Sequence, residues 1–505
     1  MDGRIKNSLR NVTGAIINKF VAIIFPFIIR TIIIYRLGAE YAGLNSLFSS
    51  VLQILSLSEL GIGSAIVFSM YKPIADEDYE MVGALLNLYR KVYFIIGCFM
   101  LVVGLIMVPF LPYLINGSYP ADINLYTLYL IYLANTVLSY FLFAYKSSVL
   151  NAFQRNDIEN NIATVINICM YLIQIAVLFI FKNYYTYIIF LPIATIAINL
   201  VRSVVTDKKF PQVHCKGQVD KKTKKGIYKR VGALIGHQLS GTVNCSLDNI
   251  VVSAFLGLIT VAQYGNYYYI VSALSGVMQV AFNGLTASIG NSIITDSKEK
   301  NLKDFYDIQY LNAWIVCWIC TCMMCLYQDF MVLWVGEEYL FPIDIVVLFV
   351  FYFYTWQIRR TVLTYKNAAG MWWADKFKPY VSVCSNLILN FTLVQICGIY
   401  GVMISTIISY AIIEAPWETH ALFKLYFETK ASDYWKRYIA YMCLGVCGLL
   451  VTYYLCSLIE VRGLSGFIVK GIICCIIPNL IWIAVTFKTK GCKRIFNIVK
   501  NIAIR

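Results

Sequence analysis

The 505-residue chain is 59% apolar and only 14% charged, with a mean hydropathy of +0.68. Soluble domains are near half apolar and a quarter charged, so a soluble protein, a disordered chain, a collagen and a small disulfide scaffold are all excluded. The formal charge of +15 comes from 42 Lys and Arg against 27 Asp and Glu. In a chain this apolar, that excess bears on the side of a bilayer each loop faces, and no nucleic-acid partner is expected.

A bilayer core of about 30 Å needs about 20 mostly apolar residues per spanning helix. Runs of that length predict fourteen helices, near 12–35, 42–70, 92–114, 125–150, 161–181, 185–206, 231–256, 263–292, 308–326, 341–358, 379–396, 401–423, 438–457 and 466–487. The runs are continuously apolar rather than alternating, which argues against a β-barrel. Two of them, 42–70 and 263–292, are long enough to imply tilt or a cytoplasmic extension. Lys19 and Arg30 interrupt the first run and no small-residue cleavage site follows, so no cleavable signal peptide is expected.

Orientation follows from the basic residues. The amino terminus, the even-numbered loops and the carboxyl tail hold 34 of the 42 Lys and Arg, the odd-numbered loops only three, Arg36, Lys182 and Arg462. The remaining five, Lys19, Arg30, Lys146, Arg202 and Lys470, fall within spans. This asymmetry predicts that both termini are cytoplasmic and that the number of spans is even. Segment 207–230 carries Lys208, Lys209, Lys216, Lys221, Lys222, Lys224, Lys225, Lys229 and Arg230. It reads either as a solvated linker or as a linker lying on anionic lipid headgroups.

The segments on either side of it resemble each other weakly. Thr13-Gly14-Ala15-Ile16-Ile17-Asn18-Lys19 aligns with Val231-Gly232-Ala233-Leu234-Ile235-Gly236-His237, and Leu37-Gly38 with Leu256-Gly257. The charged patch 76–80 aligns with 296–300. Six spans per half would give both copies the same orientation, a parallel repeat about an axis along the membrane normal. The expected fold is therefore an all-α polytopic membrane protein of about fourteen transmembrane helices. Two six-helix lobes, 1–206 and 231–426, would be joined by the basic cytoplasmic linker 207–230. Residues 427–505 would add two helices and a basic tail.

Charge at membrane depth costs roughly 2.5–3.5 kcal/mol per group on insertion scales, so such groups face a cavity or a partner. Lys19 and Arg30 lie eleven residues apart, close to three turns, on one face of the first helix with Pro26 between them. In the seventh helix His237, Gly241, Asn244 and Asp248 form a stripe of the same length, and the repeat places His237 opposite Lys19 and Asp248 opposite Arg30. The eighth helix adds Tyr264, Tyr268, Ser272, Ser275, Gln279 and Asn283, while Glu59 and Lys146 complete the set. Two readings stay open: a substrate cavity, or buried locks such as Arg30 with Glu59. Lys146 either enters the cavity or snorkels, and Arg202 and Lys470 read as interfacial. Fixed cations suit an anionic headgroup, because phosphate oxygens accept charge-assisted hydrogen bonds.

Other chemistries lack their residues. No G-x4-G-K-[ST] loop is present for ATP-driven pumping. Cys317, Cys320, Cys322 and Cys325 point to scattered azimuths of one apolar helix and read as packing. The Gly463–Gly466 segment mimics an intramembrane serine protease motif with no histidine near it. Glu337-Glu338 is the one acidic pair in an outer loop, too little for a glycan-processing enzyme. No enzymatic activity, cofactor or metal is expected.

Arg30-Thr31, Tyr35, Leu37-Gly38, Glu40-Tyr41 and Gly43-Leu44-Asn45-Ser46-Leu47-Phe48 resemble the first-loop signature of bacterial polysaccharide repeat-unit flippases. Leu55-Ser56-Leu57-Ser58-Glu59-Leu60-Gly61-Ile62-Gly63 and Tyr71-Lys72-Pro73 continue the likeness. The family is the polysaccharide-transport branch, which includes O-antigen and capsule flippases, of the multidrug/oligosaccharidyl-lipid/polysaccharide exporter superfamily. The resemblance covers roughly residues 1–115. It implies a two-lobe flippase in the bacterial cytoplasmic membrane, moving undecaprenyl-diphosphate-linked oligosaccharide outward by alternating access. It also implies a cationic cavity onto which Lys19 and Arg30 map, and polymerase and other polysaccharide-assembly proteins as partners. Membrane lipids and a coupling cation, H+ or Na+, complete the expected partners, with Asp248 or Glu59 as coupling sites. The alternatives are a drug/cation antiporter of the same superfamily and, less favoured, a membrane enzyme acting on lipid-linked glycans.

Overall fold

The computed structural model describes residues 2–56, 61–371, 373–461, 463–489 and 491–494; within these, the side chains of 2–13, 15–16, 230, 233–242, 245 and 287 are not described. Helices dominate and no strand occurs among the described residues, so this is an all-α, multi-pass membrane fold. Among the described residues, ten helices are long and apolar enough to cross a bilayer, or eleven with one bent pair counted as a single span. Of the expected runs, 42–70, 125–150, 231–256 and 341–358 fall outside those ten; 125–150 is the bent pair, 231–256 lies within one helix, and 42–55, 62–70 and 343–358 are helical.

The chain divides into two compact units, Met1–Gly265 and Asn266–Arg505. The first contains α1 (Asp2–Arg36), α2 (Ala39–Leu55), α3 (Ile62–Ala75), α4 (Tyr79–Met107), α5 (Leu125–Phe141), α6 (Ser147–Ala152) and α7 (Asn156–Phe181). It continues with α8 (Tyr184–Ile188), α9 (Phe190–Lys209), α10 (Lys221–Leu256) and the first turns of α11 (Leu258–Thr295). Several helices start where the sequence supplies an acceptor for orphan N–H groups. Asp78 caps α4 through the Met81 N–H at 2.9 Å, Asn124 caps α5 through Thr127 at 3.0 Å, and Asp220 caps α10 through Thr223 at 3.0 Å. The Thr223 hydroxyl and N–H hold the Asp220 carboxyl below the usual carboxylate range.

The run 42–70 is not one tilted helix. It breaks between α2 and α3, and Gly61, at φ +86°, opens α3 in the left-handed region that a side chain resists. α1 is continuous through Pro26 and packs along α7, where Asn18 Nδ2 donates to Thr164 Oγ1 at 2.9 Å and Phe25 stacks on Tyr171. α10, which follows the basic linker, packs on α2 and α3 and so belongs to the first compact unit.

The second unit holds the remainder of α11, then α12 (Lys298–Val335), α13 (Ile343–Ile358), α14 (Arg360–Ala368), α15 (Lys378–Cys397) and α16 (Ile399–Ile408). It ends with α17 (Ala415–Leu422), α18 (Ser432–Ser457) and α19 (Gly463–Thr486). α12 is its hub. Trp314 Nε1 donates to Asn479 Oδ1 at 2.7 Å and Trp318 Nε1 to the Cys474 carbonyl at 3.0 Å, fixing α19, while Gly445 lets α18 close on Cys317. Cys325 is buried against Cys456 and Cys474 of these last two helices. Phe305 centres an aromatic core with Tyr365, Phe423, Phe427 and Tyr434.

Candidate functional site

A polar seam runs through the apolar interior of the first unit. Ser46, Ser50 and Gln53 of α2 recur at i, i+4 and i+7, so they share one helix face. α10 meets that face with Ser246 and Asn249. Ser246 Oγ donates to Gln53 Oε1 at 3.1 Å, and Asn249 Nδ2 donates to Ser50 Oγ at 2.9 Å. At the next turn Arg30 Nη1 donates to Ser46 Oγ at 3.3 Å, and Arg30 Nη2 donates to the Ala262 carbonyl of α11 at 3.0 Å. The guanidinium is half-buried. A planar fork with five N–H donors is positioned here by acceptors from two other helices.

Two glycines make this approach feasible. A Cβ at Gly265 would lie 2.6 Å from Arg30 Nη2, and one at Gly43 would strike the Leu258 carbonyl, so larger residues would push α11 off α1 and α2. Asp248 is fully buried and accepts from the Tyr264 hydroxyl at 3.0 Å, with fully buried Asn244 one turn away. Tyrosines flank the seam. Tyr132 donates to Asn45 Oδ1 at 2.6 Å and shares a 2.9 Å hydrogen bond with Tyr184, whose ring packs against Tyr41.

The structure therefore brings Arg30, Asp248 and Tyr264 to the start of α11. Lys19 lies on α1 eleven residues from Arg30, about 16 Å along the axis; it is half-buried and has no hydrogen-bond or ion-pair partner among the described residues. Lys146 is elsewhere: buried, it donates to Ser203 Oγ at 2.8 Å and pairs with Asp207 at 2.5 Å, a local tie between α9 and the corner after α5. Tyr268 falls in the second unit and packs edge-on against Tyr352, while Gln279 and Asn283 are exposed on α11. Glu59 and the His237 side chain lie outside the described residues. Arg202 pairs with Glu159 at 3.3 Å and Lys470 with Asp329 at 2.6 Å.

Sequence reasoning missed a second charged constellation, in the second unit. Arg359, at the end of α13, is buried between Glu414 and Glu418. Its Nε and Nη2 donate to the two Glu418 oxygens at 3.1 and 3.0 Å. Lys378 Nζ also reaches Glu418, at 2.5 Å, and Ser382 Oγ donates to Glu414 at 2.6 Å. Lys366 pairs with Asp375 nearby, both buried. Six formal charges sum to zero there. The signal was the i, i+4 pair Glu414 and Glu418 within an apolar run. Arg360 is separate: it donates to Gln357 Oε1 and, at 3.3 Å, to the Ser275 carbonyl, while Gln357 donates to Ser275 Oγ at 2.8 Å. It thus places a partly exposed cation beside the polar stripe of α11.

These features define a polytopic helical membrane fold carrying polar and charged groups inside its spans. No known family profile matches the chain, and no curated protein matches it by sequence. Solved structures do match. The chain is similar in fold to a lipid II flippase, MurJ, in an inward closed conformation, with a TM-score of 0.65 at 15% identity, covering 95% of this chain and 99% of that one. It is also similar to an inward-facing multidrug-resistance MATE transporter of the MOP superfamily, with a TM-score of 0.57 at 15% identity, covering 79% and 93%. A mutant form of the Vibrio cholerae MATE transporter VcmN gives a TM-score of 0.53 at 16% identity, covering 84% and 98%.

Proposed function

We propose that the chain is a flippase that carries undecaprenyl-diphosphate-linked oligosaccharide from the cytoplasmic to the outer leaflet of a bacterial cytoplasmic membrane, for surface-polysaccharide synthesis. The observation that carries this reading is the near end-to-end likeness to a lipid II flippase, a protein named for a lipid-linked cargo. The MATE structures leave a fifth to a sixth of this chain uncovered, a share close in length to residues 427–505. The flippase likeness takes up most of that share.

The chemistry fits the cargo. Moving one hydroxyl from water to hydrocarbon costs about 4–8 kcal/mol, so a sugar unit bearing a diphosphate does not cross a bilayer unaided. Arg30, oriented by Ser46 and the Ala262 carbonyl, offers charge-assisted hydrogen bonds to phosphate oxygens, and Lys19 adds a second cation along the same helix. In this reading the polar stripe of α11, with exposed Gln279 and Asn283, supplies contacts to sugar. Two helical lobes would rock about the site while the lipid tail stays in the bilayer. Asp248 is the coupling carboxylate in this reading, answering to an H+ or Na+ gradient. Both termini and the basic loops lie on the cytoplasmic side.

The second reading, a drug/cation antiporter, is favoured by the MATE likenesses and by buried Asp248. Liposomes distinguish the two. Reconstituted protein is expected to move fluorescent lipid-linked oligosaccharide to the opposite leaflet, chemically unchanged, and to leave a cationic dye gradient intact. Arg30→Ala at normal expression is expected to abolish that movement; wild-type flipping by this variant would overturn the assignment.

A further inference from the structure

Away from the seam, the first unit has a corner with its own chemistry. α5 does not run straight. After Phe141 the chain turns by 50°, with Phe143 in the left-handed region at φ +56°, before it resumes in 144–152. α4 passes beside this turn, and Gly97 lets the helices converge: a Cβ there would sit 2.8 Å from the Phe141 ring. Above that convergence the bend opens a cavity of about 480 Å³ between α4 and the corner.

The two ends of the cavity differ. Arg90 and Lys91 stand at its mouth, immediately before the apolar run 92–114 begins. Arg90 Nη2 is aimed by Asn87 Oδ1 at 3.0 Å, and Asn87 is itself fixed by donating to the Gly217 carbonyl of the basic linker at 2.8 Å. Tyr145 lies against the same guanidinium. The neighbouring Lys146 is neutralised by Asp207, so the positive charge of the mouth comes from Arg90 and Lys91. The other end is apolar. Phe94 and Ile95 are 59% and 65% exposed, and Phe94 packs against Phe141 at a ring separation of 5.4 Å. This wall faces outward from the unit, where acyl chains run.

A guanidinium and an ammonium at the edge of the hydrocarbon, above an apolar slot, match a phosphodiester with an acyl chain below it. We propose that this corner binds an anionic glycerophospholipid of the cytoplasmic leaflet, the phosphodiester on Arg90 and Lys91 and one acyl chain along Phe94, Ile95 and Phe141. Basic pockets between spanning helices on the cytoplasmic side hold anionic headgroups in this manner. The depth assignment rests on the orientation proposed above; the transported cargo does not enter it. A bound lipid would wedge the corner and fix the bend of α5.

The test uses the full-length protein, stripped of lipid in a neutral detergent and titrated with phosphatidylglycerol, phosphatidylcholine or inorganic phosphate. Bound lipid is counted by native mass spectrometry and the melting midpoint is followed in parallel. One phosphatidylglycerol per chain is expected, with a raised midpoint, and no comparable retention of phosphatidylcholine. Arg90→Gln with Lys91→Gln is expected to weaken retention by about tenfold or more, the loss of two charge-assisted contacts. Lys91→Glu alone leaves Arg90, Asn87 and Tyr145 in place and reports on the site if the double variant does not fold. Lys221→Gln with Lys222→Gln, exposed positions on the basic linker, serves as the control for diffuse attraction and is expected to retain lipid normally. Wild-type retention by Lys91→Glu, equal retention of phosphatidylcholine, equal protection by inorganic phosphate, or an equal loss in the linker control would each overturn the proposal.

Discussion

Two arginines, one within α1 and one at the end of α13, are held in opposite ways. Arg359 is 5% exposed and clasped by Glu414 and Glu418, with Lys378 on the far side of the same carboxylates. Arg30 is half-buried and donates to a serine hydroxyl and a backbone carbonyl. The first arrangement consumes charge to hold α13, α15 and α17 together. The second orients a cation while leaving part of its surface open. Burial and partner type, rather than residue identity, separate the lock at Arg359 from the binding role proposed for Arg30.

Removing one member of the lock should have the largest effect. Glu418→Ala leaves the buried cations Arg359 and Lys378 to share Glu414 alone, one positive charge uncompensated, and is expected to cost about 3–5 kcal/mol, seen as a sharply lower melting midpoint in detergent. Replacing a whole pair, Arg359→Met with Glu414→Leu, leaves Glu418 with Lys378 and should recover much of that loss. If the pair replacement is as damaging as the single one, the cluster is more than a lock. Arg30→Ala should show the converse, a stability loss of only about 1–2 kcal/mol with transport down about 100-fold or more, the equivalent of about 3 kcal/mol of lost anion contact. Equal midpoints and equal transport would erase the distinction between the two sites.

Smaller changes sharpen it. Ser46→Ala keeps the Arg30 charge but removes one acceptor; about 0.5–1.5 kcal/mol of stability should go, with a partial fall in transport rate. The exposed pair Asp296–Lys300, at 2.8 Å, is the surface counterpart of the lock. Lys300, and then the Ser292 hydroxyl, hold the Asp296 carboxyl below its ordinary value. Its contribution is therefore present above the unfolded carboxylate range and is lost as pH falls through the lowered folded value. Asp296→Asn should lower the midpoint slightly at neutral pH, no more than an exposed pair contributes, and should meet the wild type once pH falls below the lowered folded value, flattening the acid limb of a melting-midpoint titration.

The spans were legible because a bilayer demands long apolar runs: among the described residues, ten of the fourteen runs coincide with helices long and apolar enough to cross it, and an eleventh with the bent pair. The break in 42–70 was not, since hydropathy is continuous there and the interruption depends on a backbone angle at Gly61. Arg30 was legible as a charge at membrane depth. Its acceptors were not: one is a carbonyl 232 positions away, without a side-chain signature. Lys146 read as a cavity cation or a snorkelling one, and its tie to Asp207 depended on how the corner after α5 folds. Arg359 escaped notice because it sits one residue past the end of an apolar run, where an arginine looks like a loop residue.

The segments 409–414 and 423–427 on either side of α17 are π-helical. Each such turn holds a residue more than an α-turn, an insertion absorbed without a kink. Glu418 owes its azimuth to the first of these wide turns. Deleting one residue from 410–413 would let the turn shrink to ordinary α geometry and swing α17 by about 100°. The carboxylate would then miss Arg359, although every charged side chain of the cluster would still be present. The charge balance of the second unit is thus set by residue count along one helix as much as by residue type.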